Sequence, residues 1–518
     1  MLRVRRYPNS RARTIRKSID RVSPHITRFQ HTFHPLAPTS SQATTLPVHP
    51  HVTPNPLPAS FLRGGTSKGV FINRAHLPPS RADWGPIFLR LMGSPDPEYG
   101  RQLDGMGGGV SSLSKVCVVG RREEALDGTG AGSMAKDEID AEYTFVQIGV
   151  RDTSVDYSGN CGNLTSMVGV FALDEGICAR YPIPDGDTND TTMATIKLYN
   201  TNTKKRIDTT FPVSLVPSST PSSDPTPRPN PHYLAALDIP QTSISGVSGT
   251  ASRITLDFLD PAGARTGRLL PSGNPVDVVD VTYTRDGGIE AHFNIPISLI
   301  DATNPTVFVA MPEFRRILAE LGISPFCHST SLPNTNTDIN TSSERESSPP
   351  IPWSTPEITH LAELIRQAGA RRMGLDPSAQ AQPKIAFVEP ANVKTTESPS
   401  TDTESPAESV NILAYSMQTP HRAVPLTVAL ALGVCVRVEG SVGQGCVRSD
   451  AELQNGEGAR EQNGGAGEQL LRIFHPSGFV DVGAQLGHSD TAGAGEPHIT
   501  SARVTRTGRR LMRGAVWW

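Results

Sequence analysis

Apolar residues in this chain fall into short runs separated by turn residues. Gly69-Val70-Phe71-Ile72, Val116-Cys117-Val118-Val119 and residues 143–148, 254–259, 307–309, 385–388, 411–415 and 471–474 read as strands. Each is rich in β-branched or aromatic residues and is punctuated by Gly, Pro or Asp. Helical spacing is convincing over about 84–92, 164–176, 313–321, 357–372 and 421–436. The pattern predicts an α+β fold that is mostly β. Two of these helices share a layout, in which a polar stretch (Gly159 to Asn163; Ser416 to His421) runs directly into an apolar helix flanked by strands. Such a layout predicts a duplicated architecture with two helix N-termini facing one cleft.

Segments 215–231, 328–355, 395–409 and 446–468 are rich in Ser, Thr, Pro, Gly, Asn and Glu and lack apolar periodicity. They read as surface-loop insertions, which cost little because loop-closure entropy grows only logarithmically with length. At 518 residues the chain exceeds what one core usually supports, while 45 prolines, 46 glycines and 36% hydrophobic residues put much of it in loops. Residues 1–53 form a basic extension: Met1 to Arg28 carries nine Arg or Lys against one acid, Asp20. An Arg-rich, Ser-containing, acid-poor start predicts a mitochondrial transit peptide; a solvated basic tail on a cytoplasmic protein is the alternative.

Net charge is −3 with 19% charged residues, which argues against nucleic acid as a partner. No apolar stretch reaches the roughly 18 residues a membrane span needs. Six cysteines are scattered without a CxxC pair, so neither a disulfide framework nor a zinc site is indicated. The histidines lack HExxH or comparable ligand spacing, and the glycines at 105–109 lack both the GxGxxG pattern and a P-loop lysine. The expectation is a small-molecule site with no metal and no cofactor.

The most informative run is Ser158-Gly159-Asn160-Cys161-Gly162-Asn163-Leu164. It places one thiol where a helix begins, and unpaired N–H groups of a first turn favour an anion there. The competing reading is a tight turn before a core helix, with an inert buried cysteine. Lys115 stands between a Gly-rich turn and an apolar strand, where desolvation brings an amine towards neutrality; a strand-edge lysine reaching for water is the alternative. Arg63, Thr66, Ser67 and Lys68 surround a Gly-Gly turn that reads as a donor-rich anion loop or as an ordinary hairpin.

Ten blocks in order resemble the PrpF family, the 2-methylaconitate isomerases of the diaminopimelate-epimerase-like superfamily. They include Arg63-Gly64-Gly65-Thr66-Ser67-Lys68-Gly69, Asp104 to Gly109 with Ser114-Lys115, Gly159 to Asn163, Leu256 to Gly263 and Leu270 to Asn274. Asp301 to Pro305, Arg372-Met373-Gly374, Met417 to His421, His475 to Gly478 and Arg506 to Met512 complete the set.

The resemblance implies two pseudo-symmetric lobes, each curling a sheet around a central helix, with the active site between them. The first would span 54–250, with 500–518 returning to it, and the second 251–499. It further implies a cofactor-independent isomerase acting on an aconitate-like tricarboxylate by allylic proton transfer. Lys115 matches the family's catalytic position, and Cys161 or Ser416 would be the complementary donor. Arg63, Thr66, Ser67, Lys68, Gly162, Asn163, Asn304, Arg372, Gln418 and His421 would bind substrate. A two-thiol racemase is disfavoured, because the second half has no cysteine in the expected place. An epimerase of amino or hydroxy acids, or an inactive tricarboxylate-binding homologue, stays open as an alternative, and a homodimer is compatible with the reading.

Overall fold

The computed structural model describes residues 53–122, 139–178, 191–215, 233–285, 288–324, 353–391, 408–449, 469–487 and 498–518. The basic extension and most of the four insertions lie outside the described residues. In chain order the long strands of the first part are β1 (Leu57–Gly64), β2 (Ser67–Asn73), β3 (Lys115–Gly120), β4 (Ala141–Ile148), β5 (Thr191–Asn200), β6 (Lys205–Leu215) and β7 (Ile254–Leu259). Next come β8 (Asp277–Thr284), β9 (Glu290–Ala302), β10 (Asn304–Ala310), β11 (Lys384–Pro390) and β12 (Glu408–Ser416). The series closes with β13 (Gln469–His475), β14 (Gly478–Leu486), β15 (Ile499–Arg506) and β16 (Gly508–Val516). The helices are α1 (Trp84–Met92), α2 (Gly162–Asp174), α3 (Met311–Leu321), α4 (Pro356–Arg372) and α5 (Leu426–Cys435).

These strands pair in the order β16-β1-β2-β3-β4-β5-β6-β7, then β15-β14-β13-β12-β11-β10-β9-β8. Reading inward from either end gives the same series of pairings: antiparallel twice, parallel, antiparallel, parallel, antiparallel twice. The antiparallel β7–β15 pair joins the two series. The last strand, β16, pairs with β1 from Leu57↔Val516 to Gly64↔Gly508. Strand β3 is therefore equivalent to β11, β4 to β12 and β2 to β10.

Each series wraps one apolar helix. Twelve residues of α2, from Gly162 to Leu173, are buried, and so is every residue from Leu426 to Cys435 in α5. A helix buried on all sides has no solvent face and belongs inside a core. Both helices contribute to one buried cluster, with Leu164, Met167, Phe171, Leu426, Leu430 and Leu432 among its members. Amphipathic helices cover the outer faces: α1 on the first series and α3 with α4 on the second.

The fold is mostly β with five principal helices, and the expected strand runs all fall within observed strands. The second central helix differs from its expected span of 421–436. It starts at Leu426 with Pro425 as its N-cap, because proline cannot continue a helix backwards. Ser416 to His421 instead form a hairpin at the end of β12, with Ser416 paired to Thr419 across Met417 and Gln418, both at positive φ. The 395–409 segment also ends earlier than expected, since residues 408 and 409 already open β12.

Candidate active site

The starts of α2 and α5 meet head to head: a Cβ on Gly162 would lie 2.8 Å from Leu426 Cδ2. Between them is an inner cavity of about 50 Å3, lined by Thr66, Ser67, Lys115, Gln147, Asn160, Cys161, Gly162 and Asn163 on the first side. Lys384, Ser416, Met417, His421, Pro425 and Leu426 line the second side. An outer chamber of about 650 Å3 shares Gln147, Ala381 and Met417 with it and carries Arg81, Lys204 and Arg265 beside Asp152 and Asp156.

Lys115 opens β3 and is only 7% exposed. Its Nζ donates to Gln147 Oε1 at 2.5 Å, and Gln147 is the residue directly opposite on β4. Gln147 is fixed in turn by donating Nε2 to the carbonyls of Ser114 and Ser111. Burial lowers the proton affinity of the Lys115 amine, against the opposing pull of Cys161 and Cys117. Cys161 is the N-cap of α2, and its thiol donates to Ser67 Oγ at 3.7 Å. Asn163 donates to Thr66 Oγ1 at 3.0 Å and accepts from the buried Arg506 Nε at 3.0 Å, which ties the β1–β2 turn and the β15–β16 turn to the helix start.

Ser416 accepts from Lys384 Nζ at 2.8 Å, and the same amine donates to Ala381 O. Burial, Lys115 and Arg366 bring Lys384 down to about 8, with Cys161 and Asp156 acting in the opposite sense. His421 is pushed down to about 3 by burial and by the two lysines, so its imidazole is neutral near pH 7. Its Nε2 and the Nδ2 of Asn160 have no hydrogen-bond partner. Unpaired polar atoms at a buried wall are costly unless a ligand meets them.

Lys115, Cys161, Ser416, Thr66, Ser67, Gly162, Asn163 and His421 thus come together around one cavity. Arg63, Lys68, Asn304, Arg372 and Gln418 do not line it. Arg63 and Lys68 pair across β1 and β2, and strand alternation puts both on the face opposite Ser67. Arg63 Nη1 donates to the carbonyls of Gly65 and Thr507. Arg372 ends α4, where its side chain is 53% exposed and pairs with Asp277 of β8. Gln418 is exposed at the hairpin tip, and its neighbour Met417 faces the cavity instead. Asn304 is fully buried behind the lining, with neither amide atom partnered.

The sequence matches the family described as PrpF protein over residues 55–216, 238–321 and 355–518. The chain belongs to the PrpF family. Among its relatives is a 2-methyl-aconitate isomerase from Shewanella oneidensis, 31% identical, with 88% of this chain and 96% of the relative covered. A 3-methylitaconate isomerase from Eubacterium barkeri is 26% identical, with 89% and 97% covered. The crystal structure of methylitaconate-delta-isomerase superposes with a TM-score of 0.52 at 25% identity, covering 89% of this chain and 95% of that one. The chain shares the mostly β fold of that structure. The two relatives with a stated source are bacterial, and they lend no support to the mitochondrial expectation, whose residues 1–52 lie outside the described part. No described helix is long and apolar enough to cross a membrane.

The sequence reading missed Lys384, Gln147, Asn160 and Met417. Lys384 carried a usable signal: like Lys115, it stands directly before an apolar strand run, Ile385-Ala386-Phe387-Val388.

Proposed function

We propose that this protein is a cofactor-independent isomerase that moves or rotates the double bond of an aconitate-like tricarboxylate by allylic proton transfer, with Lys115 as the base. The observation that carries the reading is a desolvated amine set against a helix N-terminus in a cavity with unpartnered polar walls. One named relative is an isomerase of 2-methyl-aconitate, a tricarboxylate of this class, and the other of 3-methylitaconate, an alkenyl dicarboxylate.

The neutral Lys115 amine takes the allylic proton and becomes an ammonium. The electron pair of the broken C–H bond delocalises through the alkene into a carboxylate, so the former double bond gains single-bond character. Rotation about that bond, or protonation at its far carbon, gives the isomer when a proton returns. Negative charge builds on a carboxylate during this step, and the free amides at the start of α2, with Thr66, Ser67 and Asn160, stabilise it. On the other wall Pro425 offers no N–H and Leu426 is apolar, which suits the hydrocarbon side of the substrate. The substrate reaches the inner cavity through the outer chamber, past Gln147 and Met417.

The test is ultraviolet absorbance of cis-aconitate and 2-methylaconitate mixed with the purified chain. The wild type should change the spectrum, and Lys115→Met should lower the rate by about 100-fold or more while keeping the fold. Full activity in Lys115→Met removes the base assignment; a silent wild type with every alkenyl tricarboxylate removes the reading.

A further inference from the structure

We infer that Lys384 is a second proton carrier of this site, the symmetry mate of Lys115, so that a proton leaves the substrate on one lysine and returns from the other. The inference rests on the allylic proton transfer proposed above and adds a residue to it.

Position carries the argument. Strands β3 and β11 occupy equivalent places in the two series, and each begins with a lysine. Each lysine donates to the residue directly opposite it on the next antiparallel strand, Gln147 for Lys115 and Ser416 for Lys384. Both amines line the same cavity. The cap positions of the central helices differ, with Cys161 on one and Pro425 on the other. The second half therefore has no thiol at its helix start, and the amine is the protonatable group its scaffold presents to the cavity beside a neutral imidazole.

A structural salt-bridge role does not account for Lys384. Its amine donates to a hydroxyl and a carbonyl, not to a carboxylate. Its position is nonetheless held firmly, because the preceding loop is pinned by Arg366, which donates to the carbonyls of Pro377, Ala379 and Gln382. Two ammonium groups in one desolvated cavity repel, so the favoured state has one amine neutral and one protonated. Identical side chains then supply an acid and a base at once. In the step, the neutral amine gains the allylic proton as the C–H bond breaks, and the other ammonium gives its proton to the carbon where the new C–H bond forms. The two lysines end with exchanged protonation states, and proton exchange with solvent through the outer chamber restores them.

The experiment compares Lys384→Arg, Lys384→Met and Lys115→Met for turnover and for uptake of solvent deuterium into unreacted substrate. A guanidinium keeps the positive charge but does not release its proton, so Lys384→Arg separates proton traffic from carboxylate anchoring. The expected result is a loss of kcat of about 100-fold in both Lys384 variants, little change in KM for Lys384→Arg, and continued deuterium uptake through Lys115. Retention of exchange in Lys115→Met and its loss in Lys384→Arg would equally support the pair, with roles reversed. Turnover within about threefold of wild type in Lys384→Arg, or a change confined to KM, overturns the inference. Lys384→Met guards against a misfolded arginine variant. An inactive wild type refutes the isomerase reading itself, whereas an active wild type, a dead Lys115→Met and an active Lys384→Arg refute only this inference.

Discussion

The two halves of the sheet use one scaffold for unequal chemistry. In the first, the β1–β2 turn packs so closely on α2 that a Cβ at Gly64 would lie 2.2 Å from the Asn163 carbonyl oxygen. In the second, the β9–β10 turn meets the same point of α5 by a hydrogen bond, from Thr303 Oγ1 to the Thr427 carbonyl. Asn163 and Thr427 are each the second residue of their helix. One half thus brings backbone against backbone and leaves the helix start open to a ligand, while the other fills the gap with a side chain and closes its helix start with Pro425 and Leu426. Symmetry of the backbone places the two lysines; asymmetry at the helix starts gives the cavity a polar wall and an apolar wall.

The comparison is broken most strongly at Arg366, which serves the second half alone. Its side chain is buried, forms a double hydrogen-bonded ion pair with Glu363, and holds the loop leading to Lys384. Arg366→Leu leaves a buried carboxylate without its cation and should destabilise the chain by about 3–5 kcal/mol. A double replacement, Glu363→Leu with Arg366→Leu, should recover most of that loss in thermal unfolding. Activity should stay low in the double variant, because the carbonyls of Pro377, Ala379 and Gln382 remain unpinned and Lys384 loses its fixed position. Recovery of both stability and activity would show that the loop needs no such anchor.

A smaller effect sharpens the contrast between the two turns. Gly64→Ala drives a methyl into the Asn163 carbonyl and Ser166 Oγ and should cost about 1–3 kcal/mol by overpacking. Thr303→Val keeps the shape of the side chain and removes one hydrogen bond, for about 1 kcal/mol. Urea unfolding of the two variants side by side measures the difference. Equal losses would mean that the turns are interchangeable and that the tight approach at Gly64 has no special role.

How much of this was legible in the sequence depends on how far apart the cooperating residues lie. The strand runs and the largely apolar α2 are local patterns, and each falls in an element of the expected type. Lys115 stood out because a glycine-rich turn and a strand flank it. Lys384 shares the apolar strand run that follows but lacks the glycine-rich turn, and its significance appears only when the sheet order makes β11 the counterpart of β3. Arg63 and Lys68 were grouped with Thr66 and Ser67 by proximity in sequence, and the two-residue period of a strand then sent them to the opposite face. The α5 start was set five residues early because a polar stretch before an apolar run reads as a cap, whereas here it makes a hairpin and Pro425 sets the boundary. Arg372 was chosen on motif position, whereas Arg366, six residues earlier on α4, is the buried arginine, and helical spacing alone does not reveal which arginine of that helix points inward.

The finest test of the comparison is the pH dependence of stability. Lys384 sits at about 8 in the fold, below the ordinary lysine value of 10.5, with Lys115, Arg366 and the neutral His421 around it and Cys161 and Asp156 opposing. Between these two values the unfolded chain holds a proton that the folded chain has released, so stability rises with pH across that window and is flat for this group below it. Lys115, also lowered, contributes with the same sign. Replacing Lys384 by Met should flatten the rise in thermal midpoint between about pH 8 and 10. Replacing Lys115 by Met removes a like charge from beside Lys384, which raises the remaining amine towards its ordinary value and narrows the window from below. If both single variants keep the wild-type slope, the two amines do not feel each other across the cavity, and the paired halves share a backbone without sharing a site.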